Sequence, residues 1–138
     1  MTRSMLLTSL LASALAFAAC PSTPSVAENE QRVVVTIKDF TFVAQSAPLL
    51  PGLPIMVTVS NHDEVRHDFG SVLLQGGPTE VEGNGVIAYG RGVEGVYLNP
   101  GQTAKIRIVS DRPGRYEFRC SIHPKMRGEL LLLNVGAA

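Results

Sequence analysis

The chain has 138 residues, enough for one domain, and its 12 basic and 12 acidic side chains give a formal net charge of zero. This balance argues against a nucleic-acid-binding protein, for which a basic patch is expected.

The first segment, MTRSMLLTSLLASALAFAAC, has the layout of a secretory signal peptide. Arg3 precedes an apolar run from Met5 to Ala19, and a charged start before a short apolar core is typical of export signals. The run is shorter than the about 20 residues of a membrane-spanning helix. We therefore predict a signal over residues 1–19 and export to the bacterial periplasm or cell envelope.

The end of this signal is similar to that of a bacterial lipoprotein, in which Cys20 would become the lipidated first residue. Phe17 stands where leucine is usual, and ordinary cleavage after Ala18 or Ala27 is the alternative. We predict a lipoprotein whose Pro/Ser-rich segment, residues 20–30, tethers the following domain to a membrane.

Residues 31–138 are predicted to form one all-β domain, because short runs alternate apolar and polar residues. In chain order, the predicted one-sided sets are Val33, Val35 and Ile37; Phe40 and Phe42, after a change of phase at Lys38–Asp39; Ile55, Val57 and Val59; Ala104, Ile106 and Ile108; and Tyr116, Phe118 and Cys120.

The last run, ELLLLNV, predicts a strand buried on both faces or a final strand covered by a loop. Residues 75–95 are glycine-rich and predict loops with short strands, and no segment has the spacing of an amphipathic helix. Many short strands between Gly/Pro turns indicate a Greek-key β-sandwich or barrel.

The two cysteines, Cys20 and Cys120, are informative in an exported protein. If Cys20 is lipidated, Cys120 has no disulfide partner in an oxidising compartment, where a free thiol is readily oxidised. Binding of a metal ion by Cys120 would both protect the thiol and use it.

Cys120 stands in YEFRCSIHPKMRG, where His123 and Met126 follow at equal intervals. Because predicted strands flank this loop and fix its ends, the three side chains are expected to point to one place. A second imidazole would come from SNHDEVRHDFG, in which His67 starts an apolar stretch and His62 lies in a polar turn.

A thiolate, two imidazoles and a weak thioether are the ligands of blue copper centres, whereas structural zinc requires four strong ligands. Each residue also has an ordinary interpretation: Met126 as a gap-filling core residue, His123 as a turn residue and Cys120 as an inert buried thiol. Their combination favours a metal site. His62 is expected to be an exposed turn histidine, with the role of ligand as the alternative.

Three segments, VTVSNHDEVRHDF, YLNPGQTAKI and PGRYEFRCSIHPKMRGELLL, resemble the cupredoxin family of blue copper proteins. The resemblance covers residues 31–136 and implies a cupredoxin-type Greek-key β-sandwich that holds one copper ion. It implies His67, Cys120 and His123 as the strong ligands and Met126 as the axial ligand.

The resemblance also implies roles around the ligands. Asp68 stands where several cupredoxins have asparagine, and its backbone N–H should point at the thiolate while its side chain ties Ser121. Its negative charge would favour oxidised copper. Ile122 replaces a proline of related loops, and we hypothesise that its N–H donates to Cys120 and lowers the reduction potential. Asn61 is expected to fix the turn before His67 or to serve as a plain turn residue.

These inferences lead to an exported one-electron carrier, monomeric, that exchanges electrons with a redox partner protein. Arg66, Lys125 and Arg127 would form a basic rim that attracts an acidic partner, unless they are ordinary solvated charges. A copper-binding or delivery protein is the alternative function. An enzyme is not expected, because the sequence has no His-x-His pair for additional copper ions.

Overall fold

The computed structural model describes residues 29–134, so the predicted signal peptide, Cys20 and most of the predicted tether lie outside the described residues. The described part contains ten β-strands and one short 3₁₀ turn, Val72–Gln75. The strands are β1 (Gln31–Lys38), β2 (Thr41–Gln45), β3 (Pro54–Asn61), β4 (His67–Ser71), β5 (Thr79–Glu82), β6 (Ile87–Tyr89), β7 (Gly95–Leu98), β8 (Thr103–Val109), β9 (Gly114–Arg119) and β10 (Arg127–Leu132). No helix among these residues is long and apolar enough to cross a membrane.

The strands form two five-stranded sheets, with the orders β2-β1-β3-β8-β5 and β10-β9-β4-β7-β6. Neighbouring strands are antiparallel except β1 and β3, which run parallel. This arrangement confirms the predicted all-β sandwich. The glycine-rich segment contributes only the short strands β5 and β6, as predicted.

The core lies between the two sheets and is built from the alternating side chains of their strands. The one-sided sets predicted for β1, β3 and β8 are all buried, and Phe118 and Cys120 join them from the second sheet. Because successive side chains of a strand point to opposite faces, the polar residues between these positions face solvent. The sequence pattern therefore predicted the core correctly for these strands.

Phe40 is a correction to the predicted pattern. The pairing of Lys38 with Thr41 makes Asp39 and Phe40 the two central residues of a hairpin turn, with φ angles of 52° and 56°. Positive φ at both central positions is the geometry that lets a two-residue turn follow the twist of its strands. Phe40 is consequently 53% exposed, whereas Phe42 on β2 is 8% exposed.

The last strand buries one face, so the expectation that both faces are buried was wrong. Leu130 and Leu132 of β10 are buried, whereas Leu131 between them is 39% exposed. Leu49 lies beside the edge of this strand, where its N–H donates to Leu131 and its carbonyl accepts from Leu133, at 3.0 and 2.8 Å. The alternative expectation, a final strand covered by a loop, is closer to the structure.

Phe118 is the residue of the second sheet on which we expect the packing to depend most. Its ring is fully buried, with ring centroids 5.2 Å from Phe42 and 5.1 Å from Phe69. We expect Phe118→Ala to lower the free energy of unfolding by about 3–5 kcal/mol, because it leaves a cavity in the core. Urea unfolding of the copper-free protein measures this loss.

Val72→Ala is the control for this measurement, because Val72 is 64% exposed and should change stability by less than about 0.5 kcal/mol. A loss for Phe118→Ala no larger than that of the control would contradict the description of the core.

Candidate metal centre

The fold brings one thiol and two imidazoles together at one end of the sandwich. His67 is the first residue of β4, and Cys120 follows directly after β9. His123 lies in the loop between β9 and β10, and one ligand atom from each of the three residues lies within 4.8 Å of the others. His67 and Cys120 are buried, whereas His123 is half-buried.

The spacing of these donor atoms suits a transition metal ion. Nδ1 of His67 lies 3.1 Å from Nδ1 of His123, and Sγ of Cys120 lies 3.9 and 3.6 Å from these two nitrogens. A point equidistant from three atoms so arranged lies about 2.1 Å from each, within the about 2.0–2.3 Å of metal–nitrogen and metal–sulfur bonds in zinc proteins. The donor types, one sulfur and two imidazoles, suit copper.

Met126 belongs to the same loop and is buried in the core. The N–H of Cys120 donates to the carbonyl of Met126 at 3.1 Å, and the N–H of Met126 donates to the carbonyl of His123 at 2.9 Å. These two bonds close the loop on itself, so the backbones of Cys120, His123 and Met126 have fixed relative positions. A buried thioether in this loop suits the weak axial ligand of a blue copper centre.

His62 lies away from this group. Its side chain is exposed, and its backbone N–H donates to the carbonyl of Ile37 at 2.8 Å. It is absent from the donor cluster that the structure forms within residues 29–134. The expected turn position therefore describes His62, and the structure does not support its alternative role as a ligand.

Asp68 makes the contacts that the family resemblance implied. Its backbone N–H points at Sγ of Cys120 over 3.4 Å, and its Oδ1 accepts from the N–H and hydroxyl of Ser121 at 2.7 and 3.0 Å. Burial raises the pKa of the Cys120 thiol, and the N–H groups of Asp68 and His123 act in the opposite direction. Asp68 thus connects β4 to the start of the ligand loop.

Ile122 differs from the expectation. Its N–H donates to Oδ1 of Asp68 over 3.4 Å rather than to the sulfur of Cys120. The N–H groups that lower the thiol pKa belong to Asp68 and His123. The direct bond from Ile122 to the thiolate that the hypothesis assumed is therefore not formed in the structure.

Asp63, which was not predicted from the sequence, makes a hydrogen bond with the buried imidazole of His67. Its Oδ2 lies 2.8 Å from Nε2 of His67, so Nε2 carries the proton and Nδ1 is free for a metal. Burial raises the pKa of Asp63, but hydrogen bonds from Phe40, Asp39 and His67 together lower it below its usual value. The spacing of four residues between Asp63 and His67 was the available signal.

Asp63 is itself held by hydrogen bonds with Asn61 and with the β1–β2 hairpin. The side chain of the buried Asn61 accepts from the N–H of Asp63 at 3.0 Å and donates to the carbonyls of Val65 and Leu98. The N–H groups of Asp39 and Phe40 donate to the two carboxylate oxygens of Asp63 at 2.6 and 3.0 Å. Asn61 therefore fixes the turn that presents His67.

Phe40 packs against the two imidazoles. The sequence pattern did not predict this contact, because it placed Phe40 on a strand face with Phe42. Its ring meets those of His67 and His123 edge-on, with centroid distances of 5.3 and 5.0 Å. Phe40 reaches this position from the hairpin turn, in which its backbone is left-handed. An aromatic side chain in this position limits the access of water to the donor atoms.

Tyr89 is a third residue that the sequence did not indicate. Its hydroxyl donates to Oδ2 of Asp68 at 2.6 Å, although Tyr89 lies on β6, two strands away in the same sheet. Burial, followed by this hydrogen bond, raises the pKa of Tyr89 well above its usual value, so the phenol keeps its proton.

The sequence matches the family model of the cupredoxin-like domain over residues 9–132. The fold is similar to that of the multi-copper oxidase from Pediococcus acidilactici, with a TM-score of 0.55, 17% identity, and coverage of 97% of this chain and 31% of that chain. The McoA multicopper oxidase from the hyperthermophile Aquifex aeolicus is similar, with a TM-score of 0.55 and 14% identity. The match covers 85% of this chain and 32% of that chain. Amicyanin from Paracoccus versutus has a TM-score of 0.45 and 19% identity, with coverage of 74% of this chain and 81% of that chain. No curated protein matches the sequence.

This chain spans about a third of the length of the two oxidases, and at these identities the structures demonstrate a shared fold only. The family model, by contrast, covers most of the chain, and the donor atoms in its loop and on β4 suit one copper ion. The class of protein is therefore that of the mononuclear blue copper proteins. The chain belongs to the cupredoxin family, and its cofactor is a single copper ion.

Proposed function

We propose that the protein is a one-electron carrier. The observation that supports this most is the unequal burial of the ligands: His67 and Cys120 are buried, and only His123 is partly open to solvent. Copper, when bound, supplies the exchange of one electron between its two oxidation states. The protein buries two of the donors and leaves one imidazole near the surface, where a partner can receive the electron.

The protein's own hydrogen bonds favour a carrier over a protein that releases its metal. Asp63 orients His67, Asp68 supports the Cys120 loop, and the loop bonds of Met126 close it. A donor set that is held in one arrangement has little to rearrange when the charge of the metal changes. A thiolate also retains copper strongly, whereas delivery requires release.

The chain is proposed to act without catalysing a reaction of its own. It has three histidines in total and no His-x-His pair, so ligands for additional copper ions of an oxidase are missing from its sequence. The multicopper oxidases of similar fold are about three times as long. Their activity is therefore not transferred to this chain.

The partner is proposed to be another redox protein, met by a monomeric, exported carrier that lipidated Cys20 would hold at a membrane. The three predicted rim residues differ in their contacts. Lys125 is exposed, Arg127 donates to the carbonyl of Pro124 at 3.1 Å, and Arg66 lies over the ring of Tyr97 at 4.2 Å. Lys125 is therefore the most available charge for attracting an acidic partner.

The test is the visible spectrum of the purified protein with added Cu(II), recorded before and after ascorbate. We expect an intense blue absorption that disappears on reduction and returns in air, because Cys120 would bind copper as a thiolate. Stopped-flow oxidation of the reduced protein by a ferric haem protein then measures transfer to a protein partner.

Two results would contradict the carrier. A colourless protein that binds only Cu(I) would instead support copper delivery, the second candidate function. A blue protein whose copper cannot be reduced and reoxidised repeatedly without loss of metal would also exclude a carrier. An oxidase activity is tested by measuring the rate of oxygen consumption with an organic reductant. We expect the copper-loaded protein to consume oxygen at the same rate as the copper-free protein.

A further inference from the structure

The side chain of Tyr89 lies flat across the outer face of the second sheet in a path made by two glycines. A Cβ atom added to Gly70 of β4 would lie 2.6 Å from the hydroxyl of Tyr89, and one added to Gly95 of β7 would overlap the same group. Neither glycine has positive φ, so the backbone does not require them. Because they lack side chains, these glycines leave the space through which the side chain of Tyr89 reaches from β6 to β4.

At the end of this path the hydroxyl meets Asp68, whose two carboxylate oxygens have separate tasks. Oδ1 accepts from Ser121 and Ile122 and contacts the sulfur of Cys120 at 3.1 Å. Oδ2 accepts from Tyr89 at 2.6 Å. An asparagine in place of Asp68 would offer only one oxygen acceptor. The hydrogen bond from Tyr89 therefore uses the acceptor that an aspartate has and an asparagine lacks.

We propose that Tyr89 is a positioning residue for the copper centre, acting through Asp68 to hold the ligand loop and to offset the negative charge beside Cys120. The ring of Tyr89 packs against that of Tyr97, at a centroid distance of 4.7 Å. A cavity of about 370 Å³ lies over this face, and Tyr89, Asp68 and Ser121 are among the residues that line it, so water can reach Asp68 from this side.

The sign of the effect follows from the charge of a carboxylate. A hydrogen bond donated by Tyr89 withdraws negative charge from Asp68, and its removal leaves more of that charge close to the sulfur of Cys120. Negative charge near copper favours Cu(II) over Cu(I). The hydroxyl of Tyr89 therefore raises the reduction potential, and its loss should lower it.

Tyr89→Phe is the first variant, because it removes the hydroxyl and keeps the ring that packs against Tyr97. We expect the ratio of Cu(II) affinity to Cu(I) affinity to rise roughly three- to tenfold. This change corresponds to part of the free energy that a hydrogen bond to a charged group contributes. Chelator competition for each oxidation state measures the ratio, and a redox titration should show a lower potential. Amide hydrogen exchange at Ser121 in the copper-free protein is expected to accelerate.

Tyr97→Phe is the matched control. Tyr97 belongs to the same tilted pair of rings, and the hydroxyl that donates to Asp68 is that of Tyr89, not that of Tyr97. The affinity ratio of this variant should equal that of the unmodified protein. Gly95→Ala is a second route to the same loss, because its methyl group pushes the hydroxyl of Tyr89 off Asp68. It should lower the potential in the same direction as Tyr89→Phe.

A double-mutant cycle separates positioning from general stability. In an Asp68→Asn protein the amide carries no charge for Tyr89 to offset, so adding Tyr89→Phe should change the affinity ratio by less than half as much. An unchanged or higher potential in Tyr89→Phe, or an equal change with Asp68 and with Asn at this position, would overturn the proposal. These measurements use no partner, so they stay independent of the proposed carrier function.

Discussion

Cys120→Ser is expected to abolish the intense visible absorption of the copper-loaded protein completely. The sulfur of Cys120 is the only thiol donor within residues 29–134, and it lies at one corner of the donor triangle with His67 and His123. A serine hydroxyl is of similar size but keeps its proton near neutral pH and is a harder donor than a thiolate. The absorption spectrum with added Cu(II), together with a chelator titration, measures the loss.

Met126→Leu is the matched control for this variant, because leucine replaces the buried thioether with an apolar side chain of similar size. The thiolate remains, so the blue absorption should persist while the reduction potential changes. Urea unfolding of both copper-free proteins verifies that they fold. If Cys120→Ser retained the blue absorption, the assignment of the copper centre to this loop would be wrong.

Asp63→Ala is expected to reduce copper affinity by about 10- to 100-fold, the range known for residues that orient metal-binding histidines. The carboxylate is the hydrogen-bond partner of Nε2 of His67, and without it the ring can rotate or carry its proton on Nδ1. The hairpin turn also loses two acceptors for the N–H groups of Asp39 and Phe40. We expect the copper-free protein to lose about 1–3 kcal/mol in its free energy of unfolding.

Glu64→Ala is the control, since Glu64 is the neighbouring acidic residue, is exposed, and causes the same change of net charge. Its copper affinity should stay within about twofold of the unmodified protein, as for a surface charge. Asp63→Asn keeps one oxygen acceptor and should fall between the two. Equal affinities for Asp63→Ala and Glu64→Ala would show that His67 is oriented by other means.

Much of the fold could be predicted because β1, β3 and β8 each bury one face, and burial on one face produces alternation in the sequence. The ligand loop was also predictable, since Cys120, His123 and Met126 lie close together in the chain between two strands. Phe40 was misplaced because a change of phase in the apolar pattern was interpreted as continued strand. Such a change can equally mark a hairpin turn, as it does here.

The residues that support the ligands were harder to predict, because their partners are remote in sequence. Asp63 accepts from Asp39 and Phe40, 24 and 23 residues earlier, and Tyr89 lies 21 residues after Asp68. Sequence patterning describes which face a side chain takes, and these contacts depend instead on how strands and turns meet. Only the order of strands in the second sheet brings Tyr89 to Asp68.

The closed ligand loop has a consequence for the order in which the protein is assembled. The bonds that place its donors, from Cys120 to Met126, from Met126 to His123 and from Ser121 to Asp68, all join protein groups. Small zinc domains, by contrast, use the free energy of metal binding to fold. Here the chain can complete its fold first and acquire copper afterwards, so copper starvation should yield an intact, colourless protein ready to be loaded.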